Sequence, residues 1–167
     1  MGTVAGGYDP PVPLNASHDV SGFDCGKDPL TDWLRLQAAK NEGKGSRTYV
    51  VAIAQHVVAY YALAAGGVKR EHAPSAIARN MPDPIPVIVL GRLAVDRAHH
   101  GKRLGGALLQ DAVRRSVGAW REIGARALIV HAIDDEAIGF YMQYGFKPFP
   151  TDARTLYLSL TQIGAAL

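Results

Sequence analysis

Cysteine is almost absent from this sequence: Cys25 stands alone among 167 residues. A lone cysteine cannot close an internal disulfide, which excludes a disulfide scaffold and suits a reducing compartment. Long hydrophobic runs are missing too. The longest, residues 57–68, is broken by tyrosines and glycines and is too short to cross a bilayer, so no membrane span is expected. Residues 1–13 lack the charged start and apolar centre of a secretory signal, and their glycine and proline content predicts a loosely held lead-in. A cytoplasmic protein is the expectation. Metal-ligand spacing is absent as well, since His99 and His100 are adjacent and no ligand pair at three- or four-residue spacing accompanies them. No internal repeat, low-complexity tract or linker divides the chain.

What is present is an ordinary globular composition, 48% hydrophobic and 20% charged. A chain of this length forms one domain, expected over residues 1–167, that buries roughly 70% of its unfolded surface without staples. The net charge of +3 permits contact with a polyanion without demanding it.

Secondary-structure signals alternate along the chain. Asp28-Pro29 reads as a capping residue and a first-turn proline, ahead of Leu30, Trp33, Leu34 and Ala38 at helical spacing; Gly43-Lys44-Gly45 stops that helix. Residues 47–54 and 57–65, rich in β-branched and aromatic side chains, predict an antiparallel hairpin turning at Gln55-His56 and ended by Gly66-Gly67. A short helix near residues 74–79 sits among prolines. Residues 85–95 read as a central strand that bulges or splays at Gly91-Arg92. Residues 104–123 form an amphipathic helix, with Leu108, Leu109, Ala112, Val113, Val117 and Trp120 on one face, closed by Gly124. A strand at 127–133 follows. Asp134 caps the next helix, Gly145 stops it, and two strands at 146–149 and 154–160 complete the chain. Mixed strands and helices of this order predict an α/β (α+β) fold, its sheet mostly antiparallel with at least one strand-helix-strand crossover.

The junction "HHGKRLGGALLQDA", His99 to Ala112, joins a strand to a helix through glycines and cations. A helix N-terminus offers unpaired amides and a partial positive charge, so a glycine turn leading into one can seat phosphate, with Lys102 and Arg103 strengthening the seat. A purely structural role for Gly101, Gly105 and Gly106 stands beside that reading. Neither the Gly-Lys-Ser/Thr end of a P-loop nor the Gly-x-Gly-x-x-Gly spacing is present.

The strand "VIVLGRLAVD" with this junction resembles the acetyl-coenzyme A signature of the GNAT superfamily of N-acetyltransferases, and "DDEAIGFYMQYGF" resembles that family's later signature. The resemblance implies the GNAT fold, a central sheet of about six or seven strands flanked by helices, and acetyl-CoA as cofactor. By position, Leu93, Ala94 and Val95 would hold the pantetheine arm, and His100, Gly101, Lys102, Arg103, Leu104, Gly105 and Gly106 the pyrophosphate. His100 stands where Gln or Arg is usual, Arg103 where a glycine is often found, and Asp134 where Asn is usual; a carboxylate beside an anionic cofactor is unfavourable, which leaves Asp134 the capping role. From Phe23 onward, "FDCGKDPLTDWL", "GSRTYVV", "YYALAAGGV", "ALIVHAID" and "PTDARTLYLSL" are similar in order and spacing to the bacterial GNAT toxins of type II toxin-antitoxin pairs. That likeness implies acetylation of the α-amine of aminoacyl-tRNA, inhibition of translation, a homodimer, a ribbon-helix-helix antitoxin, and contact with operator DNA only through the antitoxin complex.

Amide formation from a thioester needs a neutral amine, a polarised carbonyl and a proton for the departing thiolate. The resemblance assigns the last role to Tyr141; packing is the other reading, because Ala137, Phe140, Tyr141 and Tyr144 share a helical face, on which Tyr144 reads as core. A backbone N–H near Leu93 is the expected polariser. An α-amine, with pKa near 7.7 to 8.0 and lower when its carboxyl is esterified, needs little or no general base, unlike a lysine amine near 10.4. His131, in a strand, is the one candidate base. Arg92, a cation within an apolar strand, and Arg47 and Lys44 in flanking loops are the candidate RNA contacts, with solvated surface charge as the alternative for each. Cys25 has no recognisable partner for nucleophilic work. An acetyltransferase for a small-molecule amine or protein N-terminus would share the cofactor turn and Tyr141, and an idle corepressor would have no need of either.

Overall fold

The structure, a computed structural model, describes residues 7–166. Seven strands form one sheet in the order β1-β2-β3-β4-β5-β7-β6, with β1-β2-β3 and β5-β7-β6 antiparallel and β4-β5 parallel, a mostly antiparallel sheet as the sequence predicts for the GNAT fold. The chain packs as two compact units. The first takes the chain up to Ala64 together with Gly91–Ala112; the second takes Ala65–Leu90 and the chain from Val113. Three continuous elements, β3 (His56–Val68), β4 (Ile85–Val95) and α4 (Leu104–Ile123), run from one unit into the other.

The first unit holds β1 (Val12–Pro13), α1 (Asp28–Leu36), α2 (Ala38–Asn41) and β2 (Arg47–Ile53). The helix α1 begins one residue earlier than its cap signal suggests: Lys27 is the N-cap, with no side-chain cap, and Asp28 and Pro29 lie in the first turn. There the aspartate still favours the positive end of the helix dipole. Leu34 of α1 and Ala38 of α2, which follows a break at Gln37, join Phe23, Cys25, Val50, Val57, Tyr60 and Ala94 in one buried cluster. Strand β2 pairs with β3 from Arg47↔Leu63 to Ile53↔His56. Ala54 and Gln55 turn the hairpin at φ of 50° and 70°, one residue before the turn read from the sequence. The loose lead-in expected over residues 1–13 is corrected at its end: Tyr8 is buried, its hydroxyl 2.6 Å from His99 Nδ1, and Val12–Pro13 pairs with Val50 and Tyr49. Residues 1–6 lie outside the described residues.

In the second unit are α3 (Ser75–Ala78), β5 (Ala127–His131), α5 (Asp135–Gln143), β6 (Lys147–Phe149), β7 (Asp152–Ser159) and α6 (Leu160–Ala166). Period-two alternation puts Ala127 and Ile129 of β5 on one sheet face with Ile85, Val87, Tyr157 and Phe149, closed over by Ile77 of α3. Gly66-Gly67 does not end β3, which continues to Val68. The bare glycines let neighbouring chain come close: a Cβ on Gly66 would lie 2.9 Å from Val89 Cγ2, and one on Gly67 3.1 Å from Pro84 Cβ. The helix α6, for which the sequence carries no clear signal, seats Gly164 against the Trp120 ring of α4, where an added Cβ would be 2.3 Å from Cζ3. No helix among the described residues is long and apolar enough to cross a membrane.

Candidate functional site

In the first unit the end of β4 feeds directly into the turn before α4. Asp96 shapes the entry. Its Oδ1 accepts from Ala98 N at 2.9 Å and its Oδ2 from Asp24 N at 3.0 Å, so both carboxylate oxygens are spent on backbone amides. Its own N–H donates to Val58 O at 2.8 Å. A 3-10 turn follows over Arg97–His99, and His99 is tethered by Tyr8. His100 turns back on the strand it has left, Nε2 donating to the Val95 carbonyl at 2.7 Å. That bond fixes the nitrogen carrying the proton and makes His100 a brace for the turn.

Gly101 at φ +76° and Arg103 at φ +62° then place two left-handed residues around Lys102. Alternation of this kind turns successive N–H groups toward one side, the concave arrangement that binds anions. Nothing lies within 4 Å of where a Gly101 Cβ would be. Arg103 adopts a conformation natural to glycine, which explains why the family often has a glycine there; holding it costs of order 1 kcal/mol. Immediately after it, Leu104, Gly105 and Gly106 begin α4, and amides of a first turn have no carbonyl within the helix to bond. Leu104 is buried and anchors the turn, while Gly101, Lys102 and Arg103 are exposed. Neither Lys102 nor Arg103 has a carboxylate partner among the described residues. The donor set is therefore main-chain amides, two unspent cations and a helix N-terminus, beside an Asp96 whose two oxygens are spent on backbone amides. It suits a diphosphate.

Upstream on β4, Ala94 packs into the Tyr60 cluster, so alternation turns Leu93 and Val95 to the opposite face and Arg92 to the face of Ala94. Arg92 lies over Trp33, Cζ 4.4 Å from the ring centroid. Lys44 and Arg47 are exposed in and beside a turn whose Gly43 and Gly45 have positive φ. The Arg47 guanidinium folds toward Gly43, its Nη1 3.6 Å from where a Cβ would stand.

In the second unit Tyr141 is buried in α5, its ring beside Phe140 and Phe146 at centroid separations of 5.2 and 5.5 Å. Burial pushes its phenol well above the ordinary tyrosine range. Buried hydroxyls normally find partners. Those of Tyr8, Tyr60 and Tyr61 do, on His99, the Leu30 carbonyl and Asp111. The Tyr141 hydroxyl, like that of Tyr157, has no hydrogen-bond partner among the described residues. Tyr157 belongs to the apolar cluster under α3. Asp134 is the N-cap of α5, Oδ1 accepting from Ala137 N at 2.9 Å, as its capping role requires. Tyr144, read as core, is exposed: α5 ends at Gln143 and Tyr144 is the C-cap, where helical phase no longer applies.

His131 is exposed at the end of β5, its Nδ1 3.2 Å from Thr155 Oγ1. Thr155 donates its only hydroxyl proton to Asp152 at 2.7 Å, so the imidazole must be the donor in the first contact and Nε2 carries the free lone pair of the neutral ring. Cys25 is buried among Thr31 Oγ1 and the Lys27 carbonyl, a structural thiol. Trp33, Tyr8 and Asp96 are functional neighbours that sequence reasoning passed over; Trp33 was visible only as one position of an apolar stripe.

The family description "Acetyltransferase (GNAT) domain" matches residues 44–148, more than half of the chain. The chain belongs to the GNAT acetyltransferase family. Over 162 residues, 96% of this chain and 98% of the relative, it is 44% identical to a tRNA-acetylating toxin of Mycobacterium tuberculosis (strain ATCC 25618 / H37Rv). Among solved structures it is similar to AtaT complexed with acetyl-methionyl-tRNAfMet, with a TM-score of 0.84 and 27% identity over 93% of this chain and 97% of that one. It is also similar to a tyrosine-to-phenylalanine mutant of the AtaT toxin bound to the C-terminus of the antitoxin AtaR and acetyl-CoA, with a TM-score of 0.81 and 27% identity over 94% of this chain and 96% of that one.

Proposed function

We propose that the chain is the toxin of a type II toxin-antitoxin pair and transfers acetyl from acetyl-CoA to the α-amine of aminoacyl-tRNA, stopping translation. The observation that carries this reading is the 44% identity to a tRNA-acetylating toxin, sustained along nearly the whole of both chains. The geometry of the turn independently fits the cofactor of that reaction. Bound acetyl-CoA supplies an activated thioester. The amides of residues 101–106 with Lys102 and Arg103 hold its diphosphate, and the strand end at Leu93, Ala94 and Val95 pairs with the pantetheine arm. A backbone N–H near Leu93 polarises the carbonyl. His100 keeps the turn closed on Val95.

Tyr141 gives the proton that the departing thiolate needs. Its phenol, raised by burial, stays protonated at neutral pH, and its hydroxyl has no competing partner among the described residues. Similarity to a toxin solved as a tyrosine-to-phenylalanine mutant supports a tyrosine in this role. The α-amine of an aminoacyl ester attacks without a strong base. Arg92, Arg47 and Lys44 bind the RNA. The chain works in the cytoplasm as one catalytic domain within a homodimer, is neutralised by a ribbon-helix-helix antitoxin, and reaches operator DNA only through that complex. Similarity to a toxin bound to its antitoxin's C-terminus supports the partner.

The test mixes the protein with labelled acetyl-CoA and bulk aminoacylated tRNA, then identifies acetylated amino acids after mild hydrolysis. Label on amino acids released from tRNA is expected. Label on free amines or protein N-termini, with charged tRNA untouched, would move the assignment to a small-molecule or N-terminal acetyltransferase.

A further inference from the structure

We infer that Trp33 is a positioning residue for the RNA: its indole holds the Arg92 guanidinium ready to bind a phosphodiester group. This rests on the reading that charged tRNA is the acceptor.

Arg92 interrupts an apolar strand on the face where Ala94 packs with Phe23, Leu34 and Tyr60. A cation there must be compensated. The Arg92 side chain makes no ion pair or hydrogen bond with any described residue. Its contact is the Trp33 ring, 4.4 Å from Cζ to centroid. Trp33 is itself fixed. Its ring lies nearly parallel to Tyr60, 12° between planes and 5.9 Å between centroids. Tyr60 is fully buried, donates its hydroxyl to the Leu30 carbonyl at 2.6 Å, and takes Phe23 edge-on at 5.5 Å. The result is a layered support with an anchored phenol below, an indole between and a guanidinium outermost.

An aromatic support differs from a carboxylate in one respect that matters here. A ring attracts the cation through its quadrupole and carries no net charge, so the positive field of Arg92 survives. A carboxylate partner would cancel it. The acidic groups of the neighbouring turn are already engaged, Asp96 by two amides and Asp24 by Gly26 N and Arg97. Five N–H donors in a planar fork, held from one side and unspent, match a phosphate. The cofactor's diphosphate has its own seat at residues 101–106, and a phosphodiester of the acceptor RNA is the group that fits Arg92.

The experiment is a double-mutant cycle in steady-state acetylation of charged tRNA. Trp33→Leu should raise KM for charged tRNA about three- to tenfold with kcat changed less than twofold. Arg92→Gln should raise it at least as much and flatten the dependence of log KM on log salt by about 0.7. The double variant should be no worse than Arg92→Gln, because Trp33 acts through Arg92, and Trp33→Phe should restore most of the wild-type KM. Leu36→Ala, an exposed change on the same helix, should leave all these quantities as they are. Additive losses, an unchanged KM in Trp33→Leu, or a loss confined to kcat would overturn the positioning role while leaving the activity standing. Wild-type protein that acetylates no charged tRNA would instead remove the substrate assignment, and this inference with it.

Discussion

Replacing Tyr141 with phenylalanine separates catalysis from packing. The ring stays between Phe140 and Phe146, and the deleted hydroxyl leaves no partner orphaned among the described residues. Removal of a hydroxyl that bonds no described residue is close to neutral, within about 1 kcal/mol, whereas deleting one that makes a hydrogen bond costs roughly 0.5–1.5 kcal/mol. Tyr60→Phe, which deletes the hydroxyl's bond to the Leu30 carbonyl, belongs to the second class. At about 2–4 °C per kcal/mol for a chain of this size, Tyr141→Phe should shift the melting temperature by no more than about 4 °C, and Tyr60→Phe should lower it by roughly 1–6 °C. Turnover should respond in the opposite order. Loss of the proton donor should cut the Tyr141→Phe rate more than tenfold, at least about 1.4 kcal/mol of transition-state stabilisation, with acetyl-CoA affinity held within a few-fold. Thermal unfolding, calorimetric titration and acetyl-transfer rates on the same two preparations decide the matter. A Tyr141→Phe enzyme of intact rate would put the donor elsewhere, and one of collapsed stability would return Tyr141 to a packing role.

Two glycines in helices test the packing of the second unit. Gly164→Ala drives a Cβ to 2.3 Å from Trp120 and should destabilise by about 1–3 kcal/mol despite the better helix propensity, whereas Gly118→Ala, with nothing within 4 Å, should gain about 0.5–1 kcal/mol; urea midpoints measure both, and equal shifts would show that α6 does not close on that ring. Asp152 is held below the ordinary 3.8 first by the Thr155 hydroxyl and then by Arg154 N–H. A depressed folded pKa contributes stability above 3.8 that is lost as pH falls through the folded value, so Asp152→Asn should melt below wild type at neutral pH and converge with it in acid. A gap constant with pH would assign the effect to the turn rather than the charge.

Legibility in the sequence followed how local each signal was. Helix α4 was readable to its bounds because 20 residues carry one uninterrupted apolar stripe between a glycine turn and Gly124. Asp134 was readable because a cap is decided within three residues. The hairpin was readable, but its turn residues were not, since Ala54 and Gln55 accept positive φ without the Asn or Gly that usually marks it. Gly66-Gly67 misled because the reason for those glycines, room for Val89 and Pro84, is a tertiary fact. So is α6: its short Gly-Ala-Ala sequence is weakly helical alone and gains its place from Trp120. At the site, the phosphate turn is a local motif and was legible; the Trp33 support beneath Arg92 joins residues far apart in the chain and was not.

The central claim is that the main-chain amides opening α4 seat the cofactor's diphosphate. A crystal structure of the protein with coenzyme A measures this directly. Diphosphate oxygens within hydrogen-bond distance of amides in residues 101–106, flanked by Lys102 and Arg103, is the predicted result. Coenzyme A bound with that turn left vacant would contradict it.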